Sequence, residues 1–328
     1  MRSWPLRAAW NTQLRESLAT GGTYELEQVD LDRYYAPTAA ARFLQSASAS
    51  SFDRYVGYAQ HIFGGPMPYT LRWSDPGIVA LEVNNRALVT GLYDAQGYNP
   101  LHLARYDAYV DAMNGGSQNY HQADVFPAGL NSPLLDLLGV RYIVVPARPA
   151  ADQVPAHFER PVRAVYQDSR VVVLENEAAL PRTWLVHAAR QTTASEALRL
   201  LTQRAVDPRQ TVLLETVAPP LSTPLAGADE SVTIESYLAS SVRISVKAAA
   251  SGLVVLSDAF DPAWQAWVDG LPAQVYVADG SLRAVPVAEG AHTVDLRYES
   301  PAVARGLAIS VATVALVGGA LLLVWRRR

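Results

Sequence analysis

The spacing of apolar positions changes several times along the chain. Leu6, Trp10, Leu14 and Leu18 recur at helical intervals, and Pro37 opens a predicted helix carrying Ala40, Phe43, Leu44 and Ala47. Asn99 followed by Pro100 has the form of an N-cap and a first-turn proline. The helix behind it would turn Leu101, Ala104, Ala108 and Met113 inward. Ser132-Pro133 repeats that start, and LLDLL runs to Gly139 as a C-terminal stop. VRYIVVP is then a short buried strand, and RPVRAVYQ and RVVVLEN flank Asp168-Ser169 as a hairpin. Thr193 and Glu196 have capping-box spacing for a helix to about Arg204, and TVLLET at 211–216 reads as a strand.

Residues 217–228, VAPPLSTPLAGA, are rich in proline and small side chains. After them the period becomes that of strands. SVTIESYL, SVRISVKA, GLVVLSD, AWQAWVDG, AQVYVAD, LRAVPVA and HTVDLRY follow at regular intervals, with Asp269-Gly270 and Asp279-Gly280 marking tight turns. The expected fold class is α+β. A mixed α/β domain (1–218) and a Pro-rich linker (219–228) precede an antiparallel β-sandwich (229–300) and one C-terminal transmembrane helix (306–325).

That last segment, GLAISVATVALVGGALLLVW, is uncharged from Gly306 to Trp325. Twenty helical residues reach about 30 Å, the thickness of a bilayer's hydrocarbon core. Trp325 suits the interface, and Ala315 with Gly319 forms a small-xxx-small pair that lets helices approach closely. Arg326, Arg327 and Arg328 follow at once, whereas Arg297, Glu299 and Arg305 lie on the other side. The arginine bias predicts a single-pass protein of a bacterial cytoplasmic membrane, its C-terminal arginine tail cytoplasmic and its head outside. Residues 1–20 include Arg2, Arg7, Arg15 and Glu16 and no apolar run long enough for a signal sequence. An outside head then implies either upstream helices in a longer protein or another export route. A cytoplasmic head would require three arginines to cross.

Composition narrows the function. Half the residues are hydrophobic and 18% charged, which predicts a packed core. A net charge of −4 leaves no basic footprint for nucleic acid. Lys247 is the single lysine. The absence of cysteine excludes disulfides, thiolate metal sites and a cysteine nucleophile. No phosphate-cradling glycine loop, zinc motif or nucleophile elbow is present, and the six histidines are scattered. No catalytic residue, metal site or cofactor is therefore assigned.

The candidate contacts are for a glycan or a partner. Asp258, Asp261 and Asp269 lie close in sequence around Trp264 and Trp267. Carboxylates accept hydrogen bonds from sugar hydroxyls, and indole faces stack on apolar C–H groups. The same pattern also fits tryptophans filling the sandwich and aspartates turning the chain. His292 opens the last strand, and Tyr98 and Asn99 belong to a polar loop with Asp94 and Gly97.

LSDAFDPAWQAWVDG, then VYVADGSLRAVPVAEGAHTVDLRY and a hydrophobic helix, resembles the C-terminal end of the YfhO family of bacterial membrane proteins. Asp258, Pro262, Trp264, Val268, Asp269 and Gly270 match the first part of its pattern. Arg283, Ala284, Val285, Gly290, His292, Val294, Tyr298 and Pro301 match the second. LLDLLGVRYIVVP, NRALVTGLYDAQGYNPLHLARY, YYAPTAAARFL and ALPRTWLVHAAR are similar to further family segments, so the likeness runs from about residue 34 to the end. It implies kinship with polytopic GT-C-type glycosyltransferases that take lipid-linked sugars and decorate envelope polymers. Their catalytic acid sits between N-terminal membrane helices that this sequence does not contain, so no catalytic residue carries over.

The resemblance implies a membrane-anchored, extracytoplasmic accessory part of such a system, lacking a catalytic site. Its partners would be the bilayer, other membrane subunits and envelope glycan. A non-enzymatic assembly subunit of a larger membrane complex and an anchored carbohydrate-binding module remain open alternatives.

Overall fold

In a computed structural model of the chain, residues 35–58, 79–83, 85–99, 101–118, 122–147, 158–159 and 161–326 are described. The helix expected around Leu6–Leu18 lies outside them, as do Pro100, Arg327 and Arg328. The fold is α+β and mostly sheet.

Helix α1 (Ala39–Ala47) leads to β1 (Arg54–Gly57). Then come α2 (Ala87–Thr90), β2 (Gly97–Tyr98), α3 (Ala104–Asn114), β3 (Gln122–Ala123), α4 (Pro127–Leu130) and α5 (Pro133–Leu137). Strands β4 (Val140–Pro146), β5 (Arg163–Gln167), β6 (Val171–Glu175), β7 (Thr183–Val186) and β8 (Ala188–Gln191) precede α6 (Ala194–Thr202) and β9 (Thr211–Leu214). Eight strands follow: β10 (Ser231–Leu238), β11 (Ser241–Ala248), β12 (Gly252–Leu256), β13 (Trp264–Val268), β14 (Leu271–Ala273), β15 (Tyr276–Ala278), β16 (Leu282–Val287) and β17 (Gly290–Tyr298). Helix α7 (Pro301–Arg326) ends the described chain.

The strands form a four-stranded sheet (β1-β4-β6-β5), a five-stranded sheet (β10-β11-β17-β13-β14), a six-stranded sheet (β7-β12-β16-β15-β9-β8) and a short β2-β3 ribbon. The five- and six-stranded sheets make the sandwich. Val242, Ile244, Val246, Val294 and Leu296 of one meet Val254, Leu256, Val285 and Val287 of the other. Alternate residues on the six-stranded sheet, Leu253, Val255, Leu282 and Ala284, face the opposite way, into a core shared with α3, α5 and β4. This explains why GLVVL carries no polar position: a strand covered on both faces reads as a continuous apolar run. VRYIVVP behaves alike. Tyr142 and Val144 pack towards α1, while Ile143 and Val145 join the shared core.

The Pro-rich segment does not divide the fold. β7, β8 and β9 precede residues 219–228 yet share a sheet with β12, β15 and β16, which follow them. Leu253↔Val186 and Val255↔Trp184 are neighbours in antiparallel register, and Ala278 pairs with Leu214. The sequence reading placed the second sheet wholly after residue 228. It missed that three upstream strands complete it, because TWLV is too short to mark a strand by period alone.

Local chemistry set several elements as expected. Ser132 accepts the Leu134 N–H (3.3 Å) with Pro133 in the first turn, and Gly139 ends the motif at φ +70°. Thr193 Oγ1 accepts the Glu196 N–H (3.3 Å) and caps α6. Asp269 and Gly270, at φ 52° and 80°, make the two-residue turn between β13 and β14. Helix α3 differs from expectation. Asn99 Oδ1 accepts the Leu101 N–H (2.9 Å) as a local turn, and the helix starts only at Ala104. Leu101, Ala104 and Ala108 are exposed, and the buried stripe is Tyr109, Val110 and Met113. Larger side chains win the inward face because they remove more apolar area from water.

Helix α7 is 26 residues long, none of its apolar span is buried in the protein, and it is long and apolar enough to cross a membrane. Its two hydroxyls bond the helix's own carbonyls, Ser310 to Gly306 and Thr313 to Ile309 (both 2.9 Å). That leaves neither side-chain hydroxyl of the helix unpaired.

Asp279 ties the β15–β16 turn to β9. Its N–H donates to Leu213 O (2.7 Å), and its Oδ1 accepts the Leu213 N–H (2.9 Å), while buried Oδ2 meets no partner among the described residues. Burial pushes this carboxyl from 3.8 up to about 7. The folded chain therefore keeps a proton that the unfolded chain releases near 3.8. Stability from this group is full below about pH 4 and is lost as pH rises towards 7. Asp279→Asn keeps the Oδ1 acceptor, and asparagine tolerates φ 50°. It should raise the denaturation midpoint at pH 8 and flatten the pH 4–7 dependence; chemical unfolding at pH 5 and pH 8 checks this, and an unchanged pH profile would count against a proton on Asp279.

Candidate functional site

Strand polarity gathers one set of side chains at a single end of the sandwich. Tyr237 is near the end of β10 and Val242 near the start of β11. Trp264 starts β13, and its register partner Tyr298 ends β17. In the other sheet Asp258 lies just past the end of β12, Arg283 near the start of β16 and Arg182 just before β7. Arg54, at the start of β1, reaches in from the four-stranded sheet. All of these except Tyr298, together with the 85–99 segment, line a cleft of about 790 Å³.

Asp258 is the hub. Its Oδ1 accepts from Arg54 Nη2 (2.8 Å) and Arg182 Nη2 (2.9 Å), and its Oδ2 from Arg283 Nη2 (3.0 Å). The Tyr237 hydroxyl lies 2.9 and 2.8 Å from the two oxygens and also meets Arg182 Nη2. Arg54 Nη1 further donates to Leu138 O (2.5 Å), Ser257 O (2.7 Å) and Ser257 Oγ (3.0 Å). Burial alone would raise the Asp258 carboxyl, but the fields of Arg182, Arg283 and Arg54 outweigh it and hold the group down to about 2. Arg54 is pushed below the ordinary arginine value by burial and by neighbouring Arg182, and Arg283 chiefly by burial. All three remain cations, since arginine does not give up its proton in proteins.

Aromatic rings frame the charges. Phe52, Tyr93 and Tyr237 contact one another with centroids 5.2–6.0 Å apart. The Arg182 guanidinium lies 4.8 Å from the Tyr237 ring centroid and 5.2 Å from that of Tyr93. Phe52 holds φ 56°, a conformation that costs a bulky residue about 1–3 kcal/mol and that the surrounding packing must maintain. Arg283 stacks 4.0 Å over the Trp264 ring, which Tyr298 meets edge-on at 5.5 Å.

The sequence candidates are thus divided. Asp258, Trp264 and Asn99 line the cleft, and Tyr98 lies in the ribbon beside it. Asp261 only shapes the approach to β13, its Oδ1 accepting the Ala263 N–H (2.8 Å). Trp267 points away. Residues 264 and 267 are three apart in one strand, so their side chains leave opposite faces, and Trp267 sits against Arg297 (5.2 Å) on the outer face. The two tryptophans therefore do not form one platform. Asp269 and His292 pair at the far end of the sandwich (2.7 Å), where Asp269 also accepts the Thr293 N–H (2.8 Å). That makes them part of a turn. At Gly306 and Gly319 the small face of α7 meets nothing within 4 Å among the described residues.

Arg54, Arg182, Tyr93 and Tyr237 escaped the sequence reading, and Arg283 was noted only for its resemblance to a family pattern. One signal was present: Arg283 interrupts LRAVPV, a strand otherwise free of charge, and a charge within a buried strand requires a partner. A second groove, about 690 Å³, runs between α3 and α6 past Ala104, Ala108 and Leu198. Its arginines are committed, Arg105 to Glu215 and Arg199 to Glu196.

Removing the hub leaves three buried cations without their counter-charge. Asp258→Asn should destabilise the fold by about 3–5 kcal/mol, read from the denaturant midpoint. In the unmodified protein the Asp258 contribution is present above pH 3.8 and lost as pH falls through about 2. A loss in the variant below about 1 kcal/mol would show that the arginines do not depend on Asp258. Compared with known proteins, the chain matches no family model, no curated protein and no solved structure.

Proposed function

We propose that this chain is the membrane-anchored, extracytoplasmic head of a YfhO-like glycosyltransferase system. It binds acceptor glycan or positions partner subunits, and a separate membrane part performs sugar transfer. The observation that carries this reading is the cleft: an aromatic and polar pocket at the end of the sandwich from which the anchor helix departs. Asp258, Trp264 and Arg283, three residues on which the family resemblance rests, meet there, and Tyr298, a fourth, touches Trp264 edge-on. The arginine bias around the anchor supports an outside head.

The cleft's chemistry favours binding over proton transfer. A general acid or base works best with a pKa near the working pH. Asp258 is held at about 2 under three guanidiniums and a tyrosine hydroxyl, so it stays ionised and occupied. Tyr93, Tyr237 and Trp264 offer ring faces and edges to a sugar's apolar C–H groups.

The single substitutions Trp264→Ala and Trp267→Ala test the reading in the detergent-purified full chain. Envelope-glycan binding should weaken at least about tenfold in the first, the loss of one well-packed ring contact, and stay unchanged in the second. Equal loss in both, with both folded by circular dichroism, would move glycan binding away from the cleft. The chain should also co-purify with a polytopic glycosyltransferase and transfer no lipid-linked sugar alone. Turnover by the isolated chain would overturn its accessory role.

A further inference from the structure

Among the described residues the charges in the cleft do not balance. Three guanidiniums, Arg54, Arg182 and Arg283, line it against two carboxylates, Asp258 and Asp94. Asp94 is engaged in part by its own loop, its Oδ1 accepting the Gln96 N–H (2.9 Å). Asp258 already accepts from three arginines and Tyr237, which fills the sites two carboxylate oxygens offer. Arg182 Nε and Arg283 Nη1 remain: both are buried, and neither meets an acceptor among the described residues. Burying a cation without its full set of partners costs several kcal/mol, so a cluster of this kind suits a site completed by an anion.

The position of the cleft names the source of that anion. Tyr298 pairs with Trp264, which lines the cleft, and its N–H donates to Ser240 O (2.9 Å) in the β10–β11 turn. Three residues later, at most about 11 Å along the chain, Pro301 begins the helix that is apolar enough to cross a membrane. The cleft's lip is apolar too. Leu88 and Leu238 line it and are 84% and 63% exposed. Large exposed leucines beside an anchor are suited to the acyl boundary of a bilayer.

We infer that the mouth of this cleft rests on the membrane surface, where Arg54, Arg182 and Arg283 receive the phosphate of an anionic lipid and Leu88 and Leu238 contact its acyl chains. Guanidinium forks match phosphate oxygens as they match the carboxylate of Asp258. The inference rests on the cleft being the ligand site of the proposed function and adds a second ligand beside the glycan, a lipid phosphate.

The test uses the full chain, delipidated in a neutral detergent, and native mass spectrometry with thermal unfolding as readouts. Phosphatidylglycerol should bind one per chain and raise Tm, whereas diacylglycerol, which lacks the phosphate, should do neither. Arg283→Gln should weaken phosphatidylglycerol binding at least about tenfold, the loss of one charge-assisted hydrogen bond. The exposed pair Leu88→Ser with Leu238→Ser, which keeps the core intact, should weaken it by a similar factor. Glycerol phosphate, the headgroup without acyl chains, should compete only at roughly hundredfold higher concentration, since each buried methylene adds about 0.8 kcal/mol. Equal binding of diacylglycerol, or an unaffected Arg283→Gln variant, would overturn the phosphate assignment. Equal competition by glycerol phosphate would overturn the lipid source. Glycan binding without phosphate-dependent binding would sink this inference alone. The reverse result would remove the glycan from the proposed function and leave the phosphate assignment standing.

Discussion

A carboxylate buried among three guanidiniums imposes conditions on everything around it. Attraction in a low-dielectric interior is strong, but so are the desolvation cost of each ion and the repulsion among the like charges. The Asp258 cluster is tolerable only while all its members are in place. They come from distant parts of the chain: Arg54 from the four-stranded sheet, Arg182 from the entry to β7, Asp258 from the exit of β12, Arg283 from β16 and Tyr237 from β10. Docking of the three sheets and formation of the cleft are therefore one event. A chain in which β7 has not joined β12 lacks Arg182, and one in which the four-stranded sheet is displaced lacks Arg54.

The same coupling explains the strained backbone beside the hub. Phe52 holds a positive φ and places its ring against Tyr93 and Tyr237. Arg182 stacks on those two tyrosines while reaching Asp258. An aromatic wall limits water around the ions and strengthens each electrostatic contact it shields. The outer face of the five-stranded sheet shows the contrast. Arg243 and Asp295 pair there at 2.8 Å, half exposed, where solvent leaves such a bond worth little. The cleft and that outer face use the same chemical groups, and burial alone makes the first a constraint on the fold.

Sequence made the local rules legible. Proline after Ser132, glycine at 139, the Thr193 cap and the Asp-Gly turns each depend on one or two neighbours, and each appeared where expected. The short strands after residue 228 were equally plain, because alternation is a local property. What stayed hidden depends on long range. No spacing rule links residues 54, 182 and 283, so the cluster left no motif. TWLV, Thr183–Val186, shows no full period and becomes a strand by pairing with β12, some seventy positions on. One miss was avoidable. Trp264 and Trp267 lie an odd number of positions apart in a strand, so their side chains must leave opposite faces, and parity excludes a joint sugar platform before any coordinates are known.

Parity and polarity also connect the cleft to the anchor. Although β8 and β9 of the six-stranded sheet run parallel, every neighbouring pair in the five-stranded sheet is antiparallel, so the exits of β10 and β17 and the entries of β11 and β13 share one end. The chain leaves for α7 from that end, and the cleft lies there because Asp258, Arg283 and Trp264 occupy the matching ends of their own strands. A tether of a few residues keeps the cleft's mouth close to α7, the helix long and apolar enough to cross a membrane. Such a tether raises the effective concentration of any ligand held beside that helix, so modest intrinsic affinity suffices for high occupancy. The order of the strands, more than any single side chain, thus decides which molecules the arginine cluster can meet.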